Sequence, residues 1–277
     1  MVSSVPKPDM IVFDVDGVLV DASRSYPEVV SRALLWGWTR VLGHIPDSEG
    51  FSSRHFSVTK THPAFNDDYD IAWAALNCAA SRRTPSLAAA LPSPEEWGAL
   101  LRGFTGTDVL SWVRSSFGER VLLDPLRQAC EEMYFGGDEY EAMGETLLYT
   151  TRRAGLWERE TPLASFFWRD LPLPAGIYTG RPLKELRLAL KLLHWEDFPP
   201  DLIVTPETGM IKPSPDGLAF LCEKTSASSP LFLGDAESDR QTSRSFGRGF
   251  FAPIGNFLPD LKGYENPALA LKDYGLL

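Results

Sequence analysis

Asp14 and Asp16 stand two residues apart at the end of the apolar run Met10-Ile11-Val12-Phe13 and are followed by Gly17. Alternate residues of a strand project to one side, so this spacing predicts two carboxylates held close together. Such a pair is costly unless a proton or a cation lies between its members. It therefore points to proton transfer or metal binding at a strand end, although Asp and Gly also populate ordinary turns. A second acidic cluster, Gly234-Asp235-Ala236-Glu237-Ser238-Asp239, follows the apolar run Leu231-Phe232-Leu233. Thr179-Gly180-Arg181-Pro182 follows a further apolar segment and opens a helical pattern. A hydroxyl and glycine N–H groups at a helix start can cradle a phosphate, and they also make an ordinary cap. Lys212 sits in the loop Gly209-Met210-Ile211-Lys212-Pro213-Ser214-Pro215. Together, Asp14, Asp16, Asp235 and Asp239 face one lysine, one threonine and a helix start across the ends of strands. Their charges do not balance without a divalent metal. All-oxygen ligands with room for water and a substrate phosphate point to Mg2+ rather than zinc or copper.

The elements that must position these residues are short and periodic. Strands are predicted over 10–15, 176–179, 202–205, 231–234 and 249–252, each an apolar run of the kind buried in a parallel sheet. Between them, Leu183, Leu186, Leu190 and Leu193 mark one face of a helix over 182–193, and a shorter stripe marks 215–224. The chain from Ser23 to about Phe167 shows helical periods and no strand series. Helices are predicted there over 27–42, 70–80, 94–117, 125–135 and 138–154, with breaks at Thr84-Pro85, Leu91-Pro92-Ser93-Pro94 and Gly136-Gly137. Trp36, Trp38, Trp73, Trp97 and Trp112 fall within or beside them and read as packing residues. One strand lies before this insertion and four lie after it, so the insertion leaves the sheet at the carboxyl end of the first strand. In open α/β sheets that edge is where ligands bind.

Composition narrows the function classes. The 277 residues are 44% hydrophobic and carry a formal net charge of −10, which argues against a nucleic-acid or anionic-membrane partner. Three scattered cysteines, an N-terminus without a signal pattern and the lack of any apolar run of 18 residues lead us to expect a soluble, cytoplasmic protein. No two of the four histidines have i, i+4 spacing, and GxSxG, GxxxxGK[ST] and GxGxxG are all absent. Zinc hydrolysis, acyl transfer from a nucleophile elbow, P-loop chemistry and dinucleotide binding thus lack their signatures.

The ordered set DxDG at Asp14–Gly17, Thr179-Gly180, Lys212 and GDxxxD at Gly234–Asp239 resembles the haloacid dehalogenase (HAD) superfamily, in its branch with a helical cap inserted after the first core strand. The resemblance covers residues 8–22 and 165–255. It implies an α/β fold with a doubly wound, mostly parallel five-stranded Rossmann-like core over 1–22 and 165–277, and an all-helical cap over 23–164. It further implies that Asp14 is the nucleophile that forms an aspartyl phosphate, and that Asp16 protonates the leaving alcohol and then deprotonates water. Gly17, Thr179, Gly180 and Lys212 would hold the phosphoryl group. Mg2+ would sit on Asp14, the backbone carbonyl of Asp16 and Asp235, with Asp239 in direct or outer support.

An aspartate two residues after the nucleophile favours phosphate esters over carbon–halogen bonds or phosphonates within this resemblance. The expected activity is hydrolysis of a small soluble phosphate monoester. A phosphomutase acting on a sugar phosphate and a non-catalytic phospho-acceptor module are the alternatives. In the cap, Arg24, Lys60, Asn66 and Asp67 are candidates for substrate specificity, and the stretch 66–68 reads equally well as the cap of the next helix.

Overall fold

The computed structural model describes residues 7–45, 50–65, 67–258 and 260–277. The chain begins with β1 (Met10–Phe13), buried throughout, and a short β2 (Val20–Asp21). Helices α1 (Tyr26–Trp36), α2 (Ser53–Lys60), α3 (Asp68–Ser81), α4 (Leu87–Ala90), α5 (Pro94–Gly103), α6 (Val109–Ser116) and α7 (Leu123–Ala142) follow. Then β3 (Thr161–Pro162) pairs antiparallel with β2. The remainder alternates: β4 (Ala175–Tyr178), α8 (Leu183–Leu193), β5 (Ile203–Val204), α9 (Asp216–Thr225), β6 (Pro230–Gly234), α10 (Glu237–Phe246), β7 (Phe250–Pro253) and α11 (Pro267–Asp273). Two compact units result. One runs to Asp21 and resumes over Thr161–Leu277, and the other spans Ala22–Glu160.

In the first unit the five strands form one parallel sheet in the order β5-β4-β1-β6-β7. The sheet is buried on both faces because successive side chains of β1 alternate between two apolar clusters. Ile11 and Phe13 join Leu186, Ala189, Leu190 and Leu193 of α8 and Ala270 and Leu271 of α11. Met10 and Val12 join Leu218, Leu221 and Cys222 of α9. Helices therefore cover both faces, the doubly wound arrangement expected of βα alternation. With β1 central, its carboxyl end lies between those of β4 and β6, where the strand order reverses direction.

In the second unit α1 packs against α3 and α7. Trp38, Trp73 and Trp97 are completely enclosed, as a packing role requires. Three predicted helices take a different form. The stretch 94–117 divides into α5 and α6, because Gly103 and Gly106 weaken the helix and Asp108 starts a new one by accepting from Ser111 N at 3.0 Å. The stretches 125–135 and 138–154 become the single element α7, which crosses a non-helical Gly136 (φ 73°) and ends at Ala142. A side chain at Gly136 would overlap the backbone of Arg153–Gly155, so only glycine allows that close approach. Glu132, fully buried on α7, accepts from the N–H groups of Leu148, Tyr149 and Thr150 at 2.7, 2.8 and 2.8 Å. Those bonds tie the following segment down as a loop where a helix was expected. The mostly polar α2 has no apolar stripe to announce it.

Candidate active site

Four loops at the carboxyl edge of the parallel sheet carry the predicted residues. Asp14 follows β1 directly, and its backbone N–H donates to Leu233 O at 2.9 Å, which fixes it against β6. The chain then turns sharply: Gly17 N donates to Val20 O at 2.8 Å, and Val20 N donates to Val15 O at 3.0 Å. Gly17 has a φ of 73°, and a side chain at this position would overlap the Asp235 carboxylate. Glycine here lets the backbone of the first motif come up against the acid of the fourth.

Thr179 follows β4, is buried, and donates through its backbone N–H to Val204 O at 3.0 Å. Its Oγ1 accepts from Arg181 N at 3.1 Å, which leaves the hydroxyl proton available to another partner. Lys212 lies between β5 and α9 on a loop anchored by Tyr178, whose hydroxyl donates to Ser214 O at 2.9 Å. Asp235 follows β6, and Asp239 lies in the first turn of α10. Asp239 Oδ2 accepts from the N–H groups of Asp235 and Ala236 at 3.1 and 3.0 Å, so one carboxylate organises the whole fourth motif. Gly234 is required beside it, since a Cβ there would overlap the Asp239 side chain.

These loops bring Asp14, Asp235 and Asp239 together, with one oxygen of each lying within 4.8 Å of the others. All three residues are buried. Lys212 Nζ lies 2.8 Å from Asp14 Oδ1 and donates to Asp239 Oδ1 at 2.6 Å. Burial pushes the Asp14 carboxyl up to about 6, with Lys212 opposing the rise and Asp239 and Asp16 adding to it. Burial alone would lower the Lys212 ammonium, but Asp14 and Asp239 outweigh it and hold the group above its usual range. Two of the three carboxylates thus hold one ammonium, and an oxygen of the third, Asp235, lies within 4.8 Å of theirs in the same buried space. A hard, all-oxygen donor set of this kind suits a divalent cation such as Mg2+.

Asp16 takes another course. Its carboxylate is engaged by Arg181, whose Nη2 reaches Oδ1 and whose Nε reaches Oδ2 at 3.4 Å, while Asp16 still bears on Asp14 and adds to the rise there. The regular strand ends at Phe13, and the two aspartates meet different cations. The sequence alone assigns no role to Arg181 within Thr179-Gly180-Arg181-Pro182. A charge directly after a candidate phosphate loop was the available signal.

Two of the four candidate specificity residues of the helical unit have local partners. Lys60 donates to Asp68 Oδ1 at 2.9 Å in a largely buried pair. Asp67 caps α3 by accepting from Tyr69 N at 2.9 Å, and it also pairs with Arg127 at 2.5 Å. Arg24 is exposed, and Asn66 lies outside the described residues. The cap reading of 66–68 is therefore met at Asp67.

No family model matches the chain, and no curated protein matches it. Solved structures do. The phosphatase Tt82 from Thermococcus thioreducens shares 24% identity at a TM-score of 0.63, over 95% of this chain and 98% of that one. A putative phosphoglycolate phosphatase from Lactobacillus plantarum shares 14% identity at a TM-score of 0.51, over 96% and 99%. A HAD-superfamily hydrolase from Geobacter sulfurreducens PCA shares 16% at a TM-score of 0.48, over 99% and 100%. The class defined here is structural: an α/β chain with the haloacid dehalogenase-like fold.

Proposed function

We propose that this chain is a HAD-type phosphatase that hydrolyses a small soluble phosphate monoester through an aspartyl-phosphate intermediate, with Mg2+ as its metal. The observation that carries this reading is the buried cluster of Asp14, Asp235, Asp239 and Lys212 at the carboxyl edge of the sheet. Its three close-set, buried carboxylates suit a divalent cation, and its ammonium suits a nucleophilic carboxylate beside a phosphoryl group. Asp14, the backbone carbonyl of Asp16 and Asp235 would hold the metal, with Asp239 in support. The metal would supply charge neutralisation for the incoming dianion.

The chain's own residues then divide the chemistry. A carboxylate oxygen of Asp14 attacks phosphorus, forming the Asp14 O–P bond as the ester P–O bond breaks. Asp16 gives a proton to the departing alkoxide. It next takes a proton from water, and the resulting hydroxide attacks the phosphoryl group and releases Asp14 with inorganic phosphate. Thr179, whose hydroxyl proton is not spent on Arg181, and the N–H groups of Gly17 and Gly180 receive the phosphoryl oxygens. Lys212, between Asp14 and Asp239, offsets charge as it gathers on the transferring group.

Cys78, Cys130 and Cys222 are all buried and form no disulfide, which fits a reducing compartment, the cytoplasm in our reading. Among the described residues no helix is long and apolar enough to cross a membrane. Phosphate release from a panel of phosphorylated metabolites, measured with Mg2+ and again with chelator, tests the proposal. Metal-dependent release is expected. Isomer formation without release would replace hydrolysis by a mutase reaction, and inertness on every ester would overturn phosphoryl transfer.

A further inference from the structure

Arg181 takes no part in the reaction as set out above, yet it is the most deeply enclosed charge beside Asp16. Its side chain has no exposed surface, while that of Asp16 keeps 26% of its own. The two residues are 165 positions apart in sequence, and both oxygens of Asp16 face the guanidinium. A guanidinium is planar, donates from a fixed fork and accepts nothing, so a two-point engagement sets the plane of the carboxylate as well as its place. Arg181 is itself held at its base, because its N–H donates to Thr179 Oγ1 and the next residue, Pro182, leads into α8. The same short segment thereby fixes the Thr179 hydroxyl and the Asp16 carboxylate. Burying an arginine is a poor way to gain stability alone, since an apolar side chain of similar volume often serves as well or better.

We infer that Arg181 is a positioning residue that aims the Asp16 carboxylate at the leaving oxygen and, afterwards, at the attacking water. The inference rests on the phosphatase reading and on the proton-transfer role given there to Asp16. It makes a demand on residue type: arginine engages both oxygens, whereas lysine, a single point charge, cannot set the plane.

The test uses the full-length protein with Mg2+ and two substrates, an alkyl phosphate from the metabolite panel and 4-nitrophenyl phosphate. The alkoxide needs a well-placed proton to leave, and the nitrophenolate does not. In kcat/KM, which covers steps up to departure of the leaving group, Arg181→Met and Arg181→Lys are expected to cost roughly 100-fold on the alkyl ester, at the lower end of what placed acid–base groups contribute. The aryl ester should lose under about threefold, since its leaving group needs no such help. In an Asp16→Asn background, Arg181→Met should cost under about threefold more on the alkyl ester, because nothing is left to aim.

Equal losses on both esters, or a full additional loss in the Asp16→Asn background, would show that Arg181 only supports the core and would overturn the inference. Should Arg181→Met fail to fold, the Arg181→Lys variant, which keeps the charge, completes the same cycle. A wild type inert on all esters overturns the phosphatase reading and this role together. An active wild type with equal losses in the variants overturns the role alone.

Discussion

Buried charge is treated in opposite ways by the two units. In the helical unit it is matched locally. Glu132 is satisfied by three backbone N–H groups, and Arg127 bridges Asp67 and Asp70. The amide of Asn77 accepts from Arg120 N and Val121 N and donates to Trp73 O and Val121 O. Such groups cost little because each finds its partner inside the fold, and their work is to shape loops and join helices. In the α/β unit, Asp14 and Asp239 share one ammonium, and a third buried carboxylate, Asp235, is gathered within reach of both. A fold tolerates carboxylates so close together where a cation or a proton can lie between them. The contrast shows that burial of charge by itself does not mark a site; like charges converging on one buried space do.

Substitutions can break this contrast from either side. The largest expected effect is at Asp14, where Asp14→Asn should lower phosphate release at least roughly 1000-fold, as loss of a nucleophile does. Without metal it should melt no lower than the wild type, because burial already disfavours the Asp14 charge. A variant that turned over normally would remove Asp14 as the nucleophile. Next comes Glu132→Ala, which orphans three N–H groups and should cost about 3 kcal/mol or more in chemical denaturation. The same substitution should leave the Mg2+ requirement of the remaining folded protein unchanged, and a shifted requirement would blur the contrast.

Asp239→Asn should raise the Mg2+ concentration for half-maximal turnover roughly 10- to 100-fold, the usual cost of losing an outer-shell partner. An unchanged metal titration would move Asp239 out of the metal's surroundings.

The smallest effect is one of pH and belongs to the helical unit. Burial pushes Asp70 up to about 7 from an ordinary 3.8, with Asp67 adding to the rise and Arg127 opposing it. Between those two values the folded chain holds a proton that the unfolded chain has released. This group's contribution to stability is therefore greatest at the acid end and is lost as pH rises through about 7. Melting temperatures followed by circular dichroism from pH 5 to pH 8 should fall more steeply for the wild type than for Asp70→Asn. Parallel curves would count against a proton on Asp70.

Much of this was legible in the chain itself. The five parallel strands fall within a residue or two of the apolar runs that predict them, because a strand buried on both faces needs an uninterrupted apolar sequence. The helical insertion was harder to read. Its helix α2 is short and polar, and α7 ends early because of Glu132, whose effect is exerted on residues sixteen to eighteen positions downstream. Periodicity cannot register a bond of that reach.

The order of residues sets which types stand at the strand ends: Asp14 and Asp16 with Gly17, Thr179 before a helix, Lys212 in a loop, and Asp235 and Asp239 around another turn. Those identities bound the chemistry to acids, one ammonium and a hydroxyl. Which charge meets which follows from the folded chain alone. Asp14 shares Lys212 with Asp239, and Asp16 meets an arginine 165 positions away. The reason is geometric. A parallel sheet brings together loops that are distant in sequence, and the partner of a buried carboxylate is set by that order of strands rather than by any neighbour along the chain.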